Sequence, residues 1–160
     1  MSGAPWKLPP AAKVYEAFSA LADGRVHLGP PGRAEVESSG RDRRYDVEWS
    51  EGFAVVGAND NASFWQGYLG YPAVAALLAA GALRADGAVT ALLAGVPWHE
   101  LNRRFRRDYA AAVDSVLAEL EQRGADRARI VAEVDAVLAQ LAALAPLRGP
   151  RRRPPAATQA

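Results

Sequence analysis

The chain has 160 residues, enough for one domain or for one domain with a helical appendage, and half of them are hydrophobic, so a sizeable core can be buried. It has no cysteine, which excludes disulfides and thiolate metal sites. Lysine and arginine total 19 against 18 acidic residues, but Arg148, Arg151, Arg152 and Arg153 lie in an acid-free C-terminal stretch, so the body is slightly acidic and only the tail is basic.

The first residues lack the charged and apolar blocks of a signal peptide. The longest apolar run, about Tyr68 to Leu83, is interrupted by Gly70, Pro72 and Gly81 and is too short for a membrane span, which needs about 20 apolar residues. A cytoplasmic protein without a membrane segment is expected.

Residues 1–10 read as an extended arm, since Pro5, Pro9 and Pro10 block helix, and Pro10 can open the first helix as its N1 residue. From Ala11 the apolar residues Val14, Phe18 and Leu21 recur at helical spacing, and Asp23-Gly24 supplies the stop. Residues 25–58 read as an antiparallel meander of about three strands. Ala34 to Ser38 alternates, and in the clearest strand Tyr45, Val47 and Trp49 share one face while Arg44, Asp46 and Glu48 share the other. Glu51-Gly52 then reverses the chain into Phe53-Ala54-Val55-Val56.

An aromatic, glycine-rich connection follows, Asn59 to Pro72, with four large rings (Phe64, Trp65, Tyr68 and Tyr71) and three side-chain amides. An alanine-rich helix is predicted from Pro72 to Ala80, ended by Gly81, and a short one from Asp86 to Leu93. Trp98, Leu101, Phe105, Tyr109, Ala112, Val116 and Leu120 form one helical stripe; Gly124 breaks it, Asp126 caps the next helix, and Ile130, Val134, Val137, Leu141 and Leu144 repeat it. Two such helices on a short loop predict an antiparallel hairpin. Beyond Pro146 the Pro/Arg-rich tail is expected to be disordered. The domains so drawn are 1–96, α+β; 97–145, a helical hairpin; and 146–160, the tail.

The passage from Glu35 to Leu83 resembles the SWIM zinc-finger family. Tyr45 to Trp49 followed by Glu51-Gly52 looks like that family's paired strands, and Tyr71 to Leu78 is similar to the helix that opens with its second ligand pair. The positions of the family's ligands hold Ala54, Val56, Tyr71 and Ala73, none of which binds zinc. The resemblance therefore implies a metal-free nucleic-acid- or protein-binding module, in which Phe64, Trp65, Tyr68 and Tyr71 replace the metal by packing.

No residue pattern points to catalysis. His27 and His99 are far apart and carry no nucleophile motif, and no cofactor is implied. Asn59-Asp60-Asn61 has alternating oxygens, but counted as a calcium loop its sixth and twelfth positions are Phe64 and Gly70, so it reads as a turn. Trp65, Tyr68 and Tyr71, with Gln66 at a base edge, could form a stacking platform; without a lysine or arginine between residues 51 and 83 they read instead as the end of the core. Glu35, Glu37, Asp46 and Glu48 should line the wet face of the meander, paired across strands with Arg33, Arg43 or Arg44.

The strongest basic cluster is Arg103, Arg104, Arg106 and Arg107, with Arg103, Arg104 and Arg107 on the outward side of the predicted helix. Together with Arg151, Arg152 and Arg153 of the tail they suggest a non-enzymatic module that binds DNA or RNA through phosphate contacts. A subunit that self-associates or receives a partner helix through the hairpin is the alternative. A small-molecule binder with a pocket under residues 59–72, built on Asn59, Asp60, Asn61, Trp65, Gln66, Tyr68 and Tyr71, is the third and least favoured reading.

Overall fold

The computed structural model describes residues 3–156. Helix α1 (Ala11–Ala22) starts one position later than a proline at N1 would place it. Pro10 is its extended N-cap, accepting the Lys13 N–H at 3.0 Å, and Gly24 follows the helix at φ 66°. Strands β1 (Val26–Leu28), β2 (Arg33–Glu37), β3 (Arg44–Trp49) and β4 (Val55–Ala58) come next, with a 3₁₀ turn at Glu51–Phe53 between the last two. A π-helical turn, Ala62–Gln66, leads to α2 (Tyr71–Ala80), α3 (Gly87–Leu92), α4 (Trp98–Arg104), α5 (Tyr109–Gln122), α6 (Arg127–Leu144) and a two-residue β5 (Leu147–Arg148). No described helix is long and apolar enough to cross a membrane.

The fold is α+β, but the sheet has five strands rather than three, in the order β1-β2-β3-β4-β5. The first four form an antiparallel meander, and β5 joins β4 in parallel through Leu147 N–H to Ala54 O (2.9 Å) and Gly149 N–H to Val56 O (3.1 Å). Alternation places Ala34, Val36, Tyr45, Val47, Val56 and Ala58 on the buried face. Against that face lies α2, whose residues Ala73 to Leu77 are all fully buried, with α1 packed on its other side. Alanine makes this possible, because a thin helix can touch a sheet and a second helix at once. Val74 and Leu77 add the bulk, each stabilising by roughly 2 kcal/mol through its burial.

The stripe from Trp98 to Leu120 is not one helix, because Arg106 and Arg107 both take left-handed φ (53° and 65°) and separate α4 from α5. Asp108 then opens a new helix as its N-cap, its Oδ1 accepting the Ala111 N–H at 3.1 Å. The connection 123–126 leads into α6, capped by Asp126 as expected, and both α5 and α6 pack on α1.

The start of the Pro/Arg-rich tail, expected to be disordered, joins the sheet as β5. Leu147 is held between Ala54 of the sheet edge and the N-terminal arm, where Trp6 N–H donates to Pro146 O and Arg148 N–H to Ala4 O. Two terminal segments thus cover an edge that would otherwise offer unpaired backbone groups. The expected disorder of residues 157–160 lies outside the described residues.

Candidate functional site

The π-helical turn and the start of α2 stand opposite α4, and α1 and the β2–β3 turn close the space between them. The result is a cleft of about 810 Å³. Its charge is lopsided: five lysine and arginine side chains line it, Lys13, Arg25, Arg43, Arg103 and Arg107, against the carboxylates Glu16 and Asp60. Four tyrosines (Tyr45, Tyr68, Tyr71 and Tyr109) and two tryptophans (Trp65 and Trp98) supply apolar wall with polar tips.

The floor is built on α1, a helix buried from Ala12 to Ala20. Lys13 and Glu16, one turn apart, carry charge into that interior, and Lys13 Nζ stands 3.2 Å from Glu16 Oε2 and 4.3 Å from the centre of the Tyr109 ring. Asn102 Nδ2 donates to Glu16 Oε1 at 2.8 Å, tying α4 to α1. Burial alone would pull the Lys13 ammonium below the usual lysine range, but the Glu16 charge and hydrogen bond, helped by Tyr109 and Tyr68, raise it above that range. The Lys13 ammonium is thus held in its charged form by its Glu16 partner.

Arg25, only 1% exposed, donates through Nη1 to Glu37 O (2.8 Å), lies 3.6 Å from Asp23 Oδ2 and sits 5.9 Å from the Tyr71 ring centre. Tyr71 in turn meets Tyr45 edge-on at 6.3 Å, and burial pushes its hydroxyl well above the usual phenol range. The Arg43 Nε is sealed from solvent without a hydrogen-bond partner. A buried guanidinium donor left unpaired is uncommon and costly, so this one N–H is unmet.

Asp60 forms the opposite wall. Buried to 5% exposure, it accepts from Ser63 Oγ (2.6 Å) and Ser63 N–H (3.2 Å), while Gly70 N–H reaches the same Ser63 Oγ at 3.3 Å. Desolvation raises its carboxyl above the ordinary value, and the Ser63 hydrogen bonds only partly oppose that.

The predicted ligand-surface residues separate into two groups. Asn59 is structural: it is buried, and its Oδ1 accepts the Asp46 N–H at 2.8 Å. Asp60, Asn61, Trp65, Gln66, Tyr68 and Tyr71 all line the cleft. Their four rings are not one packed cluster. Phe64 and Trp65 stand edge to face at 4.6 Å, Tyr71 pairs with Tyr45, and Trp65 is 64% exposed.

The predicted arginine patch is also split. Arg103 and Arg107 line the cleft, whereas exposed Arg104 lays its guanidinium 5.5 Å from the Phe105 ring centre. Arg151 lies 4.0 Å from the Phe64 ring centre and donates twice to Phe64 O (3.2 and 3.0 Å). Arg152 approaches Asp46 and Glu48 at 3.6 Å each, and Arg153 is exposed. On the wet sheet face Arg44 pairs with Glu35, but Glu37 takes Arg41 and His27, and Arg43 turns to the cleft instead. His99 lines the cleft, its backbone N–H donating to Ser39 Oγ at 3.1 Å. Among the described residues no three His, Asp or Glu side chains gather as a metal site would require.

Sequence reasoning missed Lys13, Glu16, Arg25, Arg43, Asn102 and Tyr109. One signal existed: Lys13 and Glu16 fall a turn apart in a predominantly apolar helical segment, Ala11 to Ala22. Arg25, directly after a helix stop, carries no pattern of its own.

Fold and cleft together define a small α+β protein with a cationic, tyrosine-rich cleft between its sheet-bound helix layer and α4. The chain belongs to the family described as uncharacterised conserved protein UCP014422, which it matches over residues 6–146, a span that contains every residue lining this cleft. No curated protein and no solved structure matches it.

Proposed function

We propose that the protein is a non-enzymatic binder of a small anionic ligand with an aromatic or otherwise planar part, held in the cleft between α1, α4 and residues 60–71. The observation that carries this reading is the charge of the lining. Of its two carboxylates Glu16 is already paired with Lys13, and Arg25 is engaged by Asp23 and Glu37 O, which leaves Arg43, Arg103 and Arg107 facing Asp60. Guanidinium groups suit phosphate or carboxylate because they present several donors in one plane. The unpartnered Arg43 Nε speaks for the same chemistry, since an arriving acceptor can draw that side chain into a complete set of hydrogen bonds. Tyrosine and tryptophan walls suit a ring.

In this reading the α5–α6 helical hairpin buttresses α1 and is not an assembly surface. The large exposed apolar side chains among the described residues, Leu8, Leu28, Trp65 and Leu92, all lie outside it.

The test is thermal unfolding in the presence of phenyl phosphate, inorganic phosphate and phenol. Phenyl phosphate should raise Tm the most, inorganic phosphate less, and phenol not at all, because binding to the native state alone stabilises it. Equal shifts with phenol and phenyl phosphate, or none with either anion, would refute the reading.

A further inference from the structure

A second cleft, about 340 Å³, lies on the other side of the π-helical turn. Its walls are the N-terminal arm (Trp6 and Lys7), the turn itself and the segment after β5. Four cationic side chains line it, Lys7, Arg148, Arg151 and Arg152, and no carboxylate does. Trp65 and Gln66 line both clefts, so the two cationic spaces are separated by little more than one exposed indole and one amide.

Arg152 is engaged by Asp46 and Glu48, whereas Arg148 and Arg151 have no carboxylate partner among the described residues. Arg148 donates through Nη2 to Gly67 O (3.1 Å) with its guanidinium 5.2 Å from the Trp6 ring centre, and its Nε has no hydrogen-bond partner. Gly67, at φ 75°, leaves the room: a Cβ there would come within 2.9 Å of that Nη2. Arg151 stacks on Phe64 at 4.0 Å and lies 5.7 Å from the Trp65 ring centre. A guanidinium stacked on a ring keeps donors at its edge, and Lys7 is exposed.

We infer that the ligand of the larger cleft carries a second anionic group that enters this smaller one, so that a planar ring stacks on Trp65 with phosphate on either side of it, which is the chemistry of a nucleotide unit bearing two phosphates. Base-to-indole stacking is indifferent to base identity, while Gln66 offers both a donor and an acceptor to a base edge. This rests on the larger cleft being an anion site. The same chemistry arises in a free nucleoside bisphosphate and in a single strand of nucleic acid, and the experiment separates them.

Affinities of adenosine 5′-monophosphate, adenosine 3′,5′-bisphosphate and a single-stranded octadeoxyadenylate are measured by calorimetry at one fixed salt concentration. The bisphosphate should bind at least tenfold more tightly than the monophosphate, and that ratio should collapse towards one in Lys7→Glu. Lys7→Glu changes an exposed side chain and spares the fold; Arg151→Ala, which also loosens the turn, is the second variant and should lower the ratio too. Binding of the octamer tighter again than the bisphosphate assigns the site to a single strand, and no further gain assigns it to the free nucleotide; both uphold the inference. A bisphosphate no tighter than the monophosphate, or a ratio untouched by Lys7→Glu, overturns it. If phenyl phosphate binds and neither adenosine ligand does, this inference falls while the anion cleft stands; if phenyl phosphate fails as well, both fall.

Discussion

Gly70 and Asp60 are in such close apposition that a β-carbon on Gly70 would lie 1.9 Å from Asp60 Oδ2 and 2.8 Å from its Cγ. The backbone of Gly70 is ordinary (φ −75°, ψ 177°), so glycine is needed for space and not for conformation. Gly70→Ala must therefore expel the Asp60 side chain or shift the turn. The expected loss is about 1–3 kcal/mol of stability, with the weakening of phenyl phosphate binding read by calorimetry on the folded fraction. A variant with unchanged Tm and unchanged affinity would show that this wall is not part of the site.

Asp60 itself sets a pH dependence. Its folded carboxyl titrates above the unfolded value because burial penalises the charge. The folded state therefore holds the proton more tightly, and stability falls as pH rises from the unfolded value through the folded one. Asp60→Asn keeps an oxygen for Ser63 and removes the titration. The difference in unfolding free energy between the two proteins should move in favour of Asp60→Asn as pH rises from acid towards neutral, measured by urea denaturation at several pH values. A pH-independent difference would contradict the buried, proton-retaining carboxyl.

Much of the fold was legible. The alternation of Tyr45, Val47 and Trp49 against Arg44, Asp46 and Glu48 is a strand with one buried face, and Asp86, Asp126, Gly24 and Gly81 mark helix ends at the positions observed. Strand β5 was not legible, because two residues paired through backbone groups leave no side-chain pattern. The helix break at Arg106 was hidden because the apolar stripe continues across it at the same spacing. Asp108, followed by Tyr109 and three alanines, was the available signal for a new N-terminus. The cleft was half legible. Three of its six aromatic side chains, Trp65, Tyr68 and Tyr71, belong to one stretch, but its cations come from α1, the start of the sheet, the β2–β3 turn and the region of α4, so no basic residue lies inside that stretch.

Ser19 is a second buried junction, and it holds the indole of Trp98, which lines the cleft. Its Oγ donates to Leu93 O at 2.6 Å and accepts from Trp98 Nε1 at 2.7 Å, joining α1 to the α3 end and to α4. Ser19→Ala strands a buried carbonyl and a buried indole N–H, each costing about 1–3 kcal/mol if no water replaces the hydroxyl. A fall in unfolding free energy of about 2–4 kcal/mol is expected from urea denaturation, and a fall under 0.5 kcal/mol would show that the junction is not needed.

Arg106 and Arg107 offer a separation of stability from function. Each holds a left-handed φ that costs an L-residue about 1–2 kcal/mol and costs glycine nothing. Arg106→Gly should raise or leave stability and leave phenyl phosphate affinity alone, because Arg106 does not line the cleft. Arg107→Gly should relieve the same strain but weaken binding, since its guanidinium is lost from the lining. Equal effects of the two substitutions on affinity would argue against Arg107 as a ligand contact.

The central claim is that arginines brought to one cleft from distant parts of the chain bind an anion. Calorimetric titration of phenyl phosphate into the wild type and into Arg103→Ala/Arg107→Ala tests it most directly, because both side chains are exposed and their removal should leave Tm within a few degrees. The account predicts at least a tenfold rise in Kd, about 1.4 kcal/mol, with a wild-type affinity that weakens as salt is added. An unchanged Kd, or an affinity indifferent to salt, would contradict it.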